Sequence, residues 1–329
     1  MRALVLHATD AGPDPRIESV ETDALPDGDV LIDVSHSSLN YKDGLAVTGR
    51  GKIVRGTFPF VPGIDLVGTV RSSASDRWAE GDAVILTGWG TGEERWGGYA
   101  EQARAHADHL VRLPDGLTPA WAMALGTAGF TAMLSVLALE AHGVTPASGP
   151  VAVTGASGGV GSVATGLLAR AGYTVHAATG TQSAHDYLGR LGAAEVVDRA
   201  ALATPPDNPL GEGTWAGAVD SVGGTTLATL VATARRHGCI AACGLAGGPS
   251  LKTTVFPFIL RGVTLAGIDS NTAPAALRER AWARLADAVA AGHLDAVEQT
   301  TIPLEDVPTW AEKIVTGDTV GRVVVDLHA

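Results

Sequence analysis

Short apolar segments separated by turn residues fill the first third of the chain. They predict strands at residues 3–7, 30–35, 66–71, 83–87 and 110–113. Sequences such as Pro26-Asp-Gly28 and Glu80-Gly-Asp82 stand between them and are typical of tight turns. Strands this short, at this density, indicate a small β-barrel or sandwich.

The pattern changes after Pro119, where helical segments alternate with apolar strands. Strands are predicted at residues 151–154, 173–178, 195–198, 217–221, 239–243 and 264–268, and helices at 162–171 and 184–191. This alternation is typical of right-handed βαβ units and a mostly parallel sheet. Two more helices, at 275–291 and 307–315, and a strand at 321–326 complete the chain. The fold class is α/β.

An uncharged segment over residues 116–139 is long enough to cross a membrane. Pro119 and Gly126 interrupt it, so we expect two helical pieces meeting near Gly126 in the interior of a soluble protein. The formal net charge of −12 argues against a general role in neutralising nucleic acid or anionic lipid. With only Cys239 and Cys243, a disulfide framework and a four-cysteine zinc site are excluded. The cysteine content favours a cytoplasmic location.

The sharpest motif is Gly159-x-Gly161-x-x-Ala164, which follows a predicted strand and opens a predicted helix. The glycines allow a tight turn and close approach of a pyrophosphate, to which the free amides of the helix donate. An NAD site usually has Asp or Glu at the end of the next strand. Here that strand ends in Ala177-Ala-Thr-Gly-Thr181, without an acid, which favours NADPH. His185, Arg190 and Arg199 are the basic residues near it.

A short-chain dehydrogenase also carries a glycine loop of this kind. That family places the loop near the amino terminus and adds a Tyr-x-x-x-Lys pair. None of the four tyrosines has Lys four residues later. We therefore reject this family.

Several further motifs together resemble the medium-chain dehydrogenase/reductase superfamily, in the acrylyl-CoA reductase branch that also includes quinone oxidoreductase-like proteins. They are Ser38-Leu-Asn-Tyr-Lys-Asp-Gly44, Pro62-Gly-Ile-Asp65, Leu86-Thr-Gly-Trp-Gly90, Gly126-Thr-Ala-Gly-Phe-Thr-Ala-Met133, Ala242-Cys-Gly-Leu-Ala-Gly-Gly248 and Pro257-Phe-Ile-Leu-Arg261. The resemblance implies a GroES-like β-rich catalytic domain over residues 1–124 and 270–329, with a Rossmann domain over 125–269.

Zinc-dependent members of the superfamily carry a Gly-His-Glu string where this chain has Pro62-Gly-Ile-Asp65. The resemblance therefore implies hydride transfer without a metal, from NADPH to the activated C=C bond of a short enoyl-CoA, with acryloyl-CoA as the expected substrate. It also implies a set of cofactor contacts: Tyr41, Ser157, Gly158, Gly159, Val160, Thr179, Gly180, Thr181, Arg199, Leu245, Ile259, Ser270 and Arg322. Relatives carry Ser-Gly-Arg where this chain has Thr179-Gly-Thr181, so one guanidinium partner of a phosphate is missing.

An enolate forming on the thioester oxygen needs hydrogen-bond donors, and the α-carbon needs a proton. Asn40 and Tyr41 are the predicted catalytic residues. Water is an alternative source of the proton. The 21 residues between Asp43 and Asp65 contain Arg50, Lys52 and Arg55 and no acid. This segment is either a docking site for the phosphates of CoA or an ordinary solvated loop.

Two other functions stay open on sequence alone: an NADPH-dependent reductase of free quinones or enones, and a non-enzymatic nucleotide-binding protein. The resemblance further implies a homodimer, with the apolar segment at 263–268 as a candidate edge strand. A monomer in which this strand is internal is the alternative.

Overall fold

The computed structural model describes residues 1–329. Strands predominate before residue 119, and strands and helices mostly alternate after it. The strands are β1 (Arg2–Thr9), β2 (Gly12–Ser19), β3 (Val30–Leu39), β4 (Asp65–Ser73), β5 (Ala83–Thr87), β6 (Gln102–Ala105), β7 (Val111–Arg112), β8 (Val151–Thr154), β9 (Val175–Thr179), β10 (Glu195–Asp198), β11 (Trp215–Asp220), β12 (Ala234–Ala242), β13 (Thr264–Gly267), β14 (Gln299–Pro303) and β15 (Arg322–Asp326). The helices are α1 (Tyr41–Thr48), α2 (Pro119–Ala141), α3 (Gly159–Arg170), α4 (His185–Leu191), α5 (Gly224–Ala232), α6 (Phe256–Arg261), α7 (Ala275–Ala290) and α8 (Val307–Thr316).

The chain divides into two compact units. The first unit comprises Met1–Thr127, Ser270–Ala286 and Gln299–Ala329, and the second comprises Ala128–Asp269 and Asp287–Glu298. The short segment Asp287–Glu298 packs in the second unit, although the sequence motifs assign it to the other domain. Leu294 explains this placement, because it is fully buried and its Cδ2 lies 3.1 Å from where a Cβ on Gly166 would stand.

The first unit is built around a seven-stranded sheet. Its order is β14-β15-β3-β4-β5-β7, and β6 pairs with β3 outside this path. Neighbouring strands are antiparallel except β14 and β15, and β1 and β2 form a separate hairpin. Fully buried side chains of this unit, among them Leu4, Ile32 and Tyr99, pack into one core. The β-rich catalytic part expected from the sequence is confirmed.

The second unit is a doubly wound parallel sheet. Its order is β10-β9-β8-β11-β12-β13, and every neighbouring pair is parallel. The chain runs outward from β8 in one direction and then returns to β11 on its other side. Crevices at the carboxyl ends of such strands, where the order reverses, bind ligands in open α/β sheets. The predicted Rossmann sheet is confirmed.

Helix α2 contains the apolar segment noted in the sequence. Gly126 breaks it, with φ of 50° and ψ of −152°, into the two expected pieces. By length and composition this helix could span a membrane, but 89% of its most apolar window is buried inside the protein. That burial is typical of a core helix in a soluble protein.

Candidate active site

A glycine loop joins β8 to α3 in the second unit. Gly155 has φ of +58°, a left-handed conformation that favours glycine. A Cβ on Gly161 would lie 2.5 Å from the Cα of Ala156. The first turn of α3 therefore packs directly on the loop, and only glycine fits at position 161.

The backbone amides at the start of α3 are available to an anion. Those of Ser157, Gly159 and Val160 donate to no acceptor of the protein, and the first turn of α3 contains no acid. Amides at a helix amino terminus have no partner within the helix and carry its partial positive charge. This part of the chain fits the pyrophosphate of a dinucleotide.

A cationic side chain lies over the end of β9. The Cδ of Arg199 lies 2.6 Å from where a Cβ on Gly180 would stand, so the Arg199 side chain packs directly against the backbone of Gly180. Thr179 Oγ1 and Ser157 Oγ are 3.0 Å apart, which links this strand end to the glycine loop. Arg199 is exposed. The arrangement fits an adenosine ribose that carries a phosphate, and the strand end Thr179-Gly-Thr181 itself has no carboxylate for a free 2′-hydroxyl.

The other predicted cofactor residues lie farther along the chain. Leu245 follows β12 and is 63% exposed, and Ile259 lies on α6 and is 68% exposed. Ser270 opens the second segment of the first unit, where its carbonyl accepts a hydrogen bond from buried Arg278 at 3.0 Å. Their roles toward a cofactor stay predictions.

In the first unit, β3 runs through Asn40 into helix α1. The backbone N–H of Asn40 donates to Asp43 Oδ2 at 2.9 Å, which closes the first turn of the helix. Tyr41 is the first residue of α1 and is 45% exposed. Its hydroxyl forms no hydrogen bond with the protein.

Asp65, at the start of β4, is the centre of a buried polar cluster. It is fully buried and accepts hydrogen bonds from Ser38 Oγ at 2.6 Å and Asn40 Nδ2 at 2.9 Å. Thr127 donates to it twice, through its backbone amide at 2.8 Å and its hydroxyl at 2.5 Å. A buried carboxylate needs such donors, since burial without them is costly. Asp65 therefore holds Asn40 in place.

The side chain of Asn40 is turned into this cluster. Nδ2 also lies 2.9 Å from Ser38 Oγ and 3.1 Å from Asp43 Oδ2, and Oδ1 accepts from Arg322 Nη2 at 3.1 Å. An amide nitrogen has only two protons to donate. Asn40 thus has its donors engaged by the protein, which favours a role in positioning Tyr41 over direct contact with substrate.

Asp43 and Arg322 complete the cluster. Asp43 is 1% exposed and its Oδ1 accepts from the Ile64 amide at 2.8 Å. Burial, and then the nearby charge of Asp65, raise the pKa of Asp43 to about 7. Arg322 is 2% exposed and donates through Nε to the Ala124 carbonyl at 2.5 Å. The guanidinium of Arg322 is part of the cluster, and its predicted contact with a cofactor stays a prediction.

The predicted cationic segment is largely neutralised by ion pairs. Arg50 contacts Glu312 at 2.5 Å, and Arg55 contacts Glu94 at 2.8 Å. Lys52 forms no ion pair. Of the three cations assigned to CoA phosphates, Lys52 is the one whose charge is uncompensated.

Lys42, the second residue of α1, forms an ion pair that nothing in the sequence indicates. Lys42 Nζ lies 2.7 Å from Glu93 Oε1, and the Glu93 side chain is only 8% exposed. Arg55 contacts the other carboxylate oxygen of Glu93 at 3.2 Å. Glu93 therefore ties the helix that carries Tyr41 to the loop before β6. No group of three or more His, Cys, Asp or Glu side chains is placed to hold a metal ion.

Comparison with known proteins agrees with this architecture. Residues 26–115 match the alcohol dehydrogenase GroES-like domain, and residues 159–287 match the zinc-binding dehydrogenase family. The chain is 50% identical to the probable acrylyl-CoA reductase AcuI of Escherichia coli over 329 residues, which covers 100% of both chains. It is also 50% identical to the acrylyl-CoA reductase AcuI of Ruegeria pomeroyi, over 93% of this chain and 92% of that one.

Among solved structures, the yhdH oxidoreductase of Salmonella enterica in complex with NADP superposes with a TM-score of 0.96 at 50% identity. The match covers 99% of this chain and 100% of that one. The two family matches include residues of both units, and the similarity to these relatives extends over nearly the whole chain. The chain therefore belongs to the medium-chain dehydrogenase/reductase superfamily, in the branch of acrylyl-CoA reductases and quinone oxidoreductase-like proteins.

Proposed function

We propose that this protein reduces the C=C bond of a short enoyl-CoA thioester with NADPH, most specifically acryloyl-CoA to propionyl-CoA. The observation that carries the proposal is the nucleotide-binding end of the second unit, with free amides at α3 and Arg199 over Gly180. The substrate class rests on full-length similarity to proteins named acrylyl-CoA reductases.

We assign different residues of the second unit to different parts of the cofactor. The amides of Ser157, Gly159 and Val160 hold the pyrophosphate, with Gly158 in the turn between them, and Thr179–Thr181 with Arg199 hold the ribose and its 2′-phosphate. Tyr41, Leu245, Ile259, Ser270 and Arg322 are the further contacts we propose. NADPH, when bound, supplies a hydride to the β-carbon of the enoyl group.

Tyr41 is the donor we assign to the reaction. The hydroxyl of this exposed residue donates a hydrogen bond to the thioester oxygen, where negative charge develops as the C=C bond is reduced. Asn40 supports it by fixing the first turn of α1 to Asp65. The α-carbon takes its proton from Tyr41 or from water.

For the CoA phosphates we propose Arg50, Lys52 and Arg55, with Lys52 dominant because the other two are paired with acids. Replacing Lys52→Glu should raise KM for acryloyl-CoA and leave KM for a small quinone unchanged. Arg50→Glu should do the same more weakly. An equal effect on both substrates would remove the docking assignment.

A quinone reductase is the second candidate, and the same ion pairs favour it. Arg50 and Arg55 are already neutralised, so the surface near α1 offers less charge to a polyanion than the sequence indicates. NADPH oxidation measured side by side with acryloyl-CoA, crotonoyl-CoA and benzoquinone decides between the two. Oxidation with none of them would favour a non-enzymatic nucleotide-binding protein.

We also propose a cytoplasmic homodimer. β13 is an edge strand of the parallel sheet. The preceding segment exposes Val255 at 63%, Phe256 at 44% and Leu260 at 50%. Pairing two copies through β13 would cover these apolar side chains, and sedimentation velocity would detect the dimer. The free cysteines, Cys239 and Cys243, suit a reducing compartment.

A further inference from the structure

A buried carboxylate lies at the carboxyl ends of the central strands of the second unit. Asp220 ends β11, between β8 and β12, and is fully buried. Its Oδ1 accepts from Thr154 Oγ1 at 2.6 Å, and its Oδ2 accepts from the Gly223 amide at 2.8 Å. Both partners are neutral, and burial raises the pKa of Asp220. Burying a carboxylate with no cation at hydrogen-bond distance is costly. We therefore expect Asp220 to have a role that offsets this cost.

On one side, Asp220 and Ser221 form hydrogen bonds that fix the start of the glycine loop. Thr154 is the last residue of β8. The Ser221 amide donates to Thr154 Oγ1 at 3.2 Å, and Ser221 Oγ donates to the Thr154 carbonyl at 3.0 Å. A Cβ on Gly155 would lie 2.5 Å from Ser221 Oγ. The first peptide of the glycine loop therefore rests on the Asp220–Ser221 turn.

On the other side, the same turn carries the loop that contains Leu245. Gly223 has φ of +71° and forms a parallel bridge with Gly248. The Gly247 amide donates to the Val222 carbonyl at 2.7 Å. Displacing Gly223 would therefore displace residues 244–248.

We infer that Asp220 is a positioning residue for the dinucleotide: its two oxygens fix the position of the glycine loop relative to the 244–248 loop. This inference rests on the proposed function, since it assumes that both loops contact NADPH. Asp220 touches neither cofactor nor substrate in this assignment. It acts through Thr154 and Gly223.

Two acceptor oxygens are essential to this role. The Thr154 hydroxyl accepts from Ser221 and must send its own proton to Asp220, while the Gly223 amide can only donate. An asparagine has one oxygen and one NH₂ group, so one of the two bonds is lost whichever way it turns. Asp220→Asn should therefore release one loop while keeping the size of the side chain.

The test is the dissociation constant of NADPH, measured without substrate by quenching of protein fluorescence. Asp220→Asn should weaken binding by roughly tenfold or more, the range expected for an unmade bond at a buried group. Thr154→Val should act in the same direction, and Thr154→Ser should bind like the wild type. Because the two residues share one contact, the double variant should lose less than the product of the single effects.

Matched controls are Asp186→Asn, an exposed carboxylate on α4, and Thr229→Val, a buried hydroxyl that donates to the Thr225 carbonyl within α5. Both should bind NADPH like the wild type. In steady state, the Asp220 and Thr154 variants should raise KM for NADPH and leave KM for the CoA ester unchanged.

Wild-type affinity in folded Asp220→Asn and Thr154→Val would overturn the inference, as would an equal loss in the Thr229 control or a parallel rise of both KM values. If Asp220→Asn does not fold, the Thr154 pair decides by the same criteria. A wild-type protein that fails to bind NADPH would instead overturn the proposed function, and the inference with it.

Discussion

The side-chain nitrogen of Asn40 lies 2.9 Å from a carboxylate oxygen of Asp65, inside the first unit. Asn40 precedes the first residue of α1, and Asp65 is the first residue of β4. This bond ties the start of the helix that presents Tyr41 to the central sheet. The position of Tyr41 is thus set by a buried carboxylate at the start of the next element along the chain.

Replacing Asp65→Asn should destabilise the protein by about 2–4 kcal/mol, because an NH₂ group would face donors from Ser38, Asn40 and Thr127. Urea unfolding followed by circular dichroism measures this. Asp33→Asn, on a half-exposed carboxylate of the same unit that contacts Arg71, should stay within about 0.5 kcal/mol of the wild type. Similar stability of the two variants would mean that the cluster contributes no more than a surface contact.

Tyr41→Phe should lower kcat for acryloyl-CoA by roughly 10- to 100-fold, since it removes a donor to an oxygen that gains charge in the transition state. KM for NADPH should change little, because the ring is retained. Stopped-flow measurement of NADPH oxidation in a single turnover isolates this step. Unchanged single-turnover rates would assign the donor to another group or to water.

The buried carboxyl of Asp43 gives the stability a specific pH dependence. Its pKa is about 7 in the folded protein, against an ordinary value of 3.8. Between these values the folded state binds a proton that the unfolded state releases, so this group lowers the free energy of unfolding as pH rises toward 7. Above the folded pKa the loss is complete.

Asp43→Asn should remove that contribution. The difference in free energy of unfolding between pH 5 and pH 8, from urea titrations at both values, should be smaller in the variant than in the wild type. Asp33→Asn again serves as control and should keep the wild-type difference. Parallel pH profiles for Asp43→Asn and the wild type would show that Asp43 is ionised throughout.

The sequence predicted the elements that a local pattern determines. Strands at 83–87, 151–154 and 195–198 coincide with β5, β8 and β10. Helix α1 was not predicted, because its sequence has no clear apolar face and contains Gly44. Its formation depends on tertiary contacts: a Cβ on Gly44 would lie 2.9 Å from Val315 Cγ2 of α8. Strand β2 was also missed, since Pro13 and Pro15 interrupt any strand pattern and only pairing with β1 orders it.

The candidate site divides in the same way. The glycine loop is contiguous and its chemistry can be recognised from spacing alone. The buried cluster joins Asn40 to Arg322, which are 282 residues apart, and no sequence spacing indicates such a contact. Asp65 at the start of an apolar strand was the one available signal, because a carboxylate there must find donors when the strand is buried.

Arg199 should decide the choice of cofactor. Arg199→Gln should raise KM for NADPH by roughly 10- to 100-fold, the cost of one charge-assisted contact to phosphate, and leave KM for NADH unchanged. Thr181→Arg should lower KM for NADPH by supplying a second guanidinium. Arg190→Gln is the control, since Arg190 pairs with Glu298 at 2.6 Å on α4. A similar rise for NADPH and NADH in Arg199→Gln would place the side chain away from the 2′-phosphate.

Hydride transfer from NADPH to the β-carbon of acryloyl-CoA can be followed by isotope labelling. The enzyme is incubated with NADPH deuterated at both C4 positions, and the CoA product is analysed by mass spectrometry. We expect propionyl-CoA with one deuterium, located on the terminal carbon. Unchanged acryloyl-CoA, or propionyl-CoA with deuterium at the α-carbon, would show that this reaction does not occur.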